Sequence, residues 1–131
     1  MSIDWKSLYA AADKARRKAH APYSKFKVGV AVLADDGSLH LGCNVENASY
    51  GLTVCAERNA LGRAVVDGKK PVALAIVVDS RRPTPPCGAC RQVMGELLPK
   101  DAPVGTRTVS GKEKKYTVAE LLPDAFGAGD L

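Results

Sequence analysis

A chain of 131 residues, 46% of them hydrophobic, can form one domain over residues 1–131 with a core that needs no disulfide staples. One Trp, two Phe and four Tyr are too few for a stacking platform, and the net charge of +5 is scattered over several short groups, so a nucleic-acid polymer is not the expected partner. No apolar run approaches the roughly 20 residues that cross a bilayer, and the opening stretch MSIDWKSLYAAADKARRKAH resembles neither a secretory signal nor a transit peptide, so a cytoplasmic protein with no membrane partner is expected.

Residues 4–19 place Trp5, Leu8, Ala11, Ala12, Ala15 and Ala19 on one helical stripe, with Asp4 as N-cap and Pro22 beyond the end. KVGVAVLA (27–34) and LHLGCNVE (39–46) flank Asp35-Asp36-Gly37-Ser38, which predicts a β-hairpin. CAERNALGRAVVD (55–67) predicts a second helix ending at Gly68, and VALAIVV (72–78) a strand buried on both faces. Pro85 and Pro86 precede Cys87, and GACRQVMGELL (88–98) predicts a third helix. PVGTRTV (103–109) predicts a weak strand, with Pro and Gly inside it. Thr117-Val118-Ala119-Glu120 has the spacing of a capping box before a short final helix. The order α-β-β-α-β-α-β-α implies an α/β protein, a three-layer α/β/α sandwich around a mixed sheet.

Cys43, Cys55, Cys87 and Cys90 are the four cysteines, and without an export signal they point to metal binding or catalysis. Cys55-Ala56-Glu57 and Pro86-Cys87-Gly88-Ala89-Cys90 each open a predicted helix, where the dipole favours a thiolate. Cys87 and Cys90 project from one face, and Cys55 completes a trigonal set. Three thiolates leave one tetrahedral position open, the pattern of a catalytic zinc. The structural alternative is a four-cysteine site using Cys43, but strand alternation puts Cys43 beside Leu39 and Leu41 as a small buried apolar side chain. Glu57, two residues from a ligand, is placed to move protons; standing alone it would be an ordinary first-turn Glu complementing the dipole.

The pairing of CAE with PCGAC resembles the zinc deaminases, and in particular the small three-cysteine cytidine deaminases. PYSKFKVG (22–29), GCNVENASY (42–50), CGACRQV (87–93) and ELLPDAF (120–126) extend the resemblance almost end to end. It implies a five-stranded sheet, one Zn2+ per chain on Cys55, Cys87 and Cys90, and hydrolytic deamination of free cytidine and deoxycytidine, as in pyrimidine salvage. Hydroxide on the zinc attacks C4, and Glu57 carries protons to N3 and to the departing amine. The resemblance places Asn44 and Glu46 at the ribose 3′-hydroxyl, a donor and an acceptor two apart on one predicted strand face. It makes Phe26 a wall near the base and sets the backbone of Ala56 and Cys87 against the pyrimidine edge. Arg58 would donate to the sulfurs, offsetting the net −1 of three thiolates and Zn2+. Phe126 would close a neighbour's pocket in a homotetramer with shared active sites, whereas residues 121–127 alone read as a tail folded over their own core.

Pro85 stands where the family usually has a small polar residue. A blasticidin-type antibiotic nucleoside deaminase shares CAE and PCxxC, but Asn44-Val45-Glu46-Asn47 matches the ordinary nucleoside pattern. Polynucleotide editors usually carry His as first ligand. A non-catalytic zinc-stabilised binding module needs neither Glu57 nor an open coordination position.

Overall fold

The computed structural model describes residues 2–131. Asp4 caps α1 (Trp5–Arg16) by accepting the Ser7 N–H at 3.2 Å, and Leu8, Tyr9, Ala12 and Ala15 form the buried face. The helix stops at Arg16, so Ala19 lies outside the stripe its spacing predicts. Lys18 and Ala19 donate to Ala15 and Arg16 in a tightening turn that brings the His20 N–H to the Asn44 carbonyl at 3.0 Å.

Strands β1 (Val28–Ala34) and β2 (Leu39–Cys43) form the hairpin, with Gly37 at φ 85° in its turn. β2 ends at Cys43, short of the predicted strand through residue 46, because β1 offers no partner beyond Val28. Val45 is instead held by bridges to His20 and Val54. The remaining strands are β3 (Pro71–Val78), β4 (Pro103–Thr108) and β5 (Glu113–Thr117), giving the order β2-β1-β3-β4-β5. Only β3 and β4 run parallel, so the sheet is mixed and five-stranded as the resemblance implies. β5 has no signal in the residue pattern: Glu113-Lys114-Lys115 is exposed, and an outer strand needs no apolar alternation.

Alternation along β1 and β3 builds two cores. Val30, Val32, Leu74, Ile76 and Val78 face α2 (Ala56–Val66), α3 (Gly88–Leu97) and α4 (Val118–Leu121), while Ala31, Leu33, Ala73, Ala75 and Val77 face α1. The expected capping box at Thr117 and Glu120 is present. The parallel β3–β4 pair is connected through α3, which sets the start of that helix beyond the carboxyl end of β3. No helix among the described residues is long and apolar enough to cross a membrane.

Helix α2 is bound closely to β2. The Asn59 side chain donates to the Cys43 carbonyl at 2.9 Å, and Arg63 donates to the Leu41 carbonyl at 3.4 Å. His40, 6% exposed, pairs through Nδ1 with Asp67 at 2.8 Å and through Nε2 with Ser38 at 2.9 Å, fastening the hairpin to the helix end. Gly42 is the point of closest approach: a methyl there would lie 2.5 Å from Ala60 N and 2.7 Å from the Ala56 carbonyl. Backbone cannot yield as a side chain does, so Gly42→Ala should cost about 1–3 kcal/mol of unfolding free energy. Gly62, in the same helix with open space at its Cβ direction, is the control. Gly62→Ala should add about 0.5–1 kcal/mol, and both values are read from denaturant unfolding.

Candidate active site

Cys55 and Cys87 are the N-cap residues of α2 and α3, both in extended conformation and neither using its sulfur to cap a backbone N–H of its helix. Their sulfurs therefore sit beside the positive ends of two helices. Cys90, buried in the first turn of α3, joins them: the Sγ–Sγ separations are 3.8 Å for Cys55–Cys87 and 3.4 Å for Cys87–Cys90, with all three inside 4.8 Å. Zinc–sulfur bonds of about 2.3 Å in a tetrahedron put sulfurs about 3.8 Å apart, so this donor set fits a zinc ion with little adjustment. Cys43 lies outside the cluster. It is also half-buried rather than buried, and Leu39 on the same strand is 40% exposed, because α1 covers little of outer strand β2.

The sulfurs differ in their hold on a proton. A hydrogen bond from Cys90, helped by the Arg58 guanidinium, lowers the Cys55 thiol to about 5. Giving that bond, together with burial, pushes the Cys90 thiol up. Arg58 reaches the Cys55 sulfur at 3.8 Å and the Thr53 carbonyl at 3.4 Å, so it is directed at the cluster rather than at solvent. Glu57, 5% exposed in the first turn of α2, has its carboxyl raised by burial and then by the Cys55 charge. It keeps a proton at a pH where exposed carboxyls have lost theirs.

A cavity of about 290 Å³ opens onto this cluster and is lined by Cys55, Ala56, Glu57 and Cys87 on one side and Phe26, Asn44 and Glu46 on the other. Ile76 and Val78 form its apolar floor at the end of β3. Asn44 and Glu46 lie just past β2 rather than on it, and both brace the segment that carries Phe26. Asn44 Oδ1 accepts the Val28 N–H at 2.9 Å, and its Nδ2 donates to the Phe26 carbonyl at 2.8 Å. Glu46 Oε1 accepts the N–H groups of Tyr23 and Ser24, both at 3.1 Å, and Oε2 accepts the Ser24 hydroxyl. These bonds, the Ser24 hydroxyl first, hold the Glu46 carboxyl below its ordinary value. Asn44 keeps one free N–H and Glu46 one free lone pair, which together complement a hydroxyl group.

Phe126 is not in this cavity. It is 61% exposed and lines a separate hollow of about 550 Å³, with its carbonyl held by Gln92 Nε2 at 3.0 Å. Of the 121–127 tail, Leu121 packs into the protein's own core, whereas Phe126 does not. Further side chains contribute to the site or brace it. Ser24, Thr53 and Thr84 line the cavity, as does Pro85. Arg91 donates from Nε to the Pro86 carbonyl at 2.7 Å and from Nη1 to the Leu121 carbonyl at 3.0 Å, tying the ligand loop to α4. An Arg immediately after PCGAC was the available clue.

Comparison with known proteins agrees with this geometry. Residues 3–106 match the family described as "Cytidine and deoxycytidylate deaminase zinc-binding region". The chain is 52% identical over 130 residues to the cytidine deaminase of Halalkalibacterium halodurans, covering 98% of each chain. It is 48% identical over 130 residues to that of Sporosarcina psychrophila, covering 98% of this chain and 96% of the relative. A crystal structure of cytidine deaminase from Burkholderia pseudomallei superposes with a TM-score of 0.92 at 47% identity, covering 95% of this chain and 100% of the other.

Zinc-replete protein should carry one zinc per chain, with X-ray absorption showing three sulfur neighbours and one lighter atom. A shell of four sulfurs would bring Cys43 in and overturn the open site. In zinc-free protein one thiol should titrate near 5 by ultraviolet thiolate absorbance. Arg58→Gln removes a stabilising charge from that thiolate and should move the titration upward by about one unit.

Proposed function

Because the chain belongs to the cytidine and deoxycytidylate deaminase family, we propose that its cavity binds free cytidine or deoxycytidine and that water replaces the 4-amino group, giving the uracil nucleoside and ammonia. The observation that carries this reading is Glu57: a buried, proton-holding carboxyl in the cavity wall, two residues from one thiol of a zinc-fitting cluster. Cys55, Cys87 and Cys90 would hold zinc, which supplies the Lewis acidity that makes water nucleophilic near neutral pH.

Glu57 does the proton work. Its protonated form donates to N3 of the pyrimidine as water adds to C4, which lets the ring accept electrons. The carboxylate so formed takes one proton from the adding water and passes it to the amine; as ammonia leaves, the C4 hydroxyl returns its remaining proton to Glu57 and becomes the carbonyl. Burial supports both halves, since it favours the neutral acid at the start and strengthens electrostatics once solvent is excluded. The backbone of Ala56 and Cys87 would meet the pyrimidine edge and Phe26 the base, all three residues lining the cavity. The free N–H of Asn44 and the free lone pair of Glu46 receive the 3′-hydroxyl. Arg58 draws charge from the sulfurs.

The chain works as a homotetramer with shared active sites. Support comes from its exposed apolar groups: Tyr50 at 76%, Leu52 at 65% and Phe126 at 61% lie open to solvent, and Tyr23 stacks edge-on against Tyr50 at 6.1 Å. A second copy would cover them and set Phe126 over a neighbour's cavity. Thiols kept free for metal suit a reducing compartment such as the cytoplasm.

An ultraviolet assay with ammonia detection should show cytidine and deoxycytidine consumed, and free cytosine and single-stranded DNA left intact. Glu57→Gln should retain zinc and fold while losing about a thousandfold or more in turnover. Ammonia release within a few-fold of the parent would remove Glu57 from its role, and efficient reaction of single-stranded DNA would reject a nucleoside substrate. Light scattering should report a tetramer. Phe126→Ala should raise KM several-fold with zinc content unchanged, and a fully active monomer would rule out shared sites.

A further inference from the structure

The segment from Tyr23 to Val28 is exposed along most of its length, yet it carries one wall of the cavity. Alternate ties fix it: Phe26 and Val28 to Asn44, Tyr23 and Ser24 to Glu46. Ser24 is the hub of these contacts. Its N–H donates to Glu46 Oε1 at 3.1 Å, its hydroxyl donates to Oε2, and its Oγ accepts the Phe26 N–H at 3.0 Å. Lys25 has φ 61°, in the left-handed region where a residue with a side chain is uncommon. That turn brings the Phe26 N–H back to the same hydroxyl that donates to Glu46.

We propose that Ser24 is a positioning residue that sets discrimination for the sugar 3′-hydroxyl by acting through Glu46. The proposal rests on the reading of Asn44 and Glu46 as the sugar-binding pair. Tyr23 and Ser24 N–H groups hold only Oε1, so without the Ser24 hydroxyl the carboxylate loses one of its three ties and Oε2 swings more widely. Oε2 carries the free lone pair, and a sugar hydroxyl then meets a disordered acceptor in place of an aimed one. The base end of the cavity, where Glu57 and the thiols lie, makes no contact with Ser24 and keeps its geometry.

The test compares cytidine with 3′-deoxycytidine on zinc-replete protein, with zinc content and unfolding midpoint measured for every variant. Ser24→Ala should raise KM for cytidine about tenfold, leave kcat within about twofold, and leave KM for 3′-deoxycytidine unchanged. Ser24→Thr restores the hydroxyl and should restore the preference. Ser24→Cys, a weaker donor, should fall between, and it reads the same effect should the alanine variant fail to fold. On a Glu46→Gln background the Ser24→Ala change should add no further loss of preference. A parent enzyme that treats the two nucleosides alike would overturn the sugar reading, and the role of Ser24 with it. A parent that prefers cytidine, with Ser24→Ala raising both KM values equally or adding to Glu46→Gln, would overturn Ser24 alone.

Discussion

Three sulfurs inside 4.8 Å repel one another as soon as more than one is ionised, and the fold is arranged around meeting that condition. Two helices deliver their positive ends to Cys55 and Cys87, and Arg58 adds a guanidinium against the Cys55 sulfur. Neither helix can hold its place alone. Both rest on one face of the sheet through Val30, Val32, Leu74, Ile76 and Val78, and α1 buries the opposite face. The contact at Gly42 fixes how far α2 stands from β2, which fixes the height of Cys55 over the cavity. Packing in the sheet thus becomes position at the metal site.

Two glutamates on the same cavity illustrate how surroundings assign chemistry. Glu57 is buried and its proton affinity rises; Glu46 accepts three hydrogen bonds from Tyr23 and Ser24, and its affinity falls. The first is suited to giving and taking protons, the second to accepting a hydrogen bond as a permanent anion. Exchanging their environments would exchange their roles.

The helices and central strands were legible because their residues carry period and punctuation: Asp4 before the α1 stripe, the uninterrupted 72–78 run, the box at Thr117 and Glu120. The thiol set was legible because CAE and PCGAC are short-range motifs at helix starts. What escaped depends on tertiary partners. β5 is a strand only because β4 pairs with it, as Val104 with Tyr116 and Thr106 with Lys114, and its own residues are charged. The end of β2 is set by where β1 runs out, and the end of α1 by the reach of His20 to Asn44. Ser24 acts on the Glu46 carboxylate and Arg91 on the Leu121 carbonyl, each more than 20 residues along the chain, so no local spacing reveals these contacts.

The sheet has two outer strands, and each is closed to further pairing in its own way. On β2, Asn59 and Arg63 of α2 occupy the carbonyls of Cys43 and Leu41. On β5, Lys114 and Lys115 stand in the exposed row, where an incoming strand would have to desolvate them. Growth by strand addition, the route to open-ended fibres, is therefore blocked at both margins. The large apolar side chains that do lie open, Tyr50, Leu52 and Phe126, stand in connections outside the sheet, away from both margins.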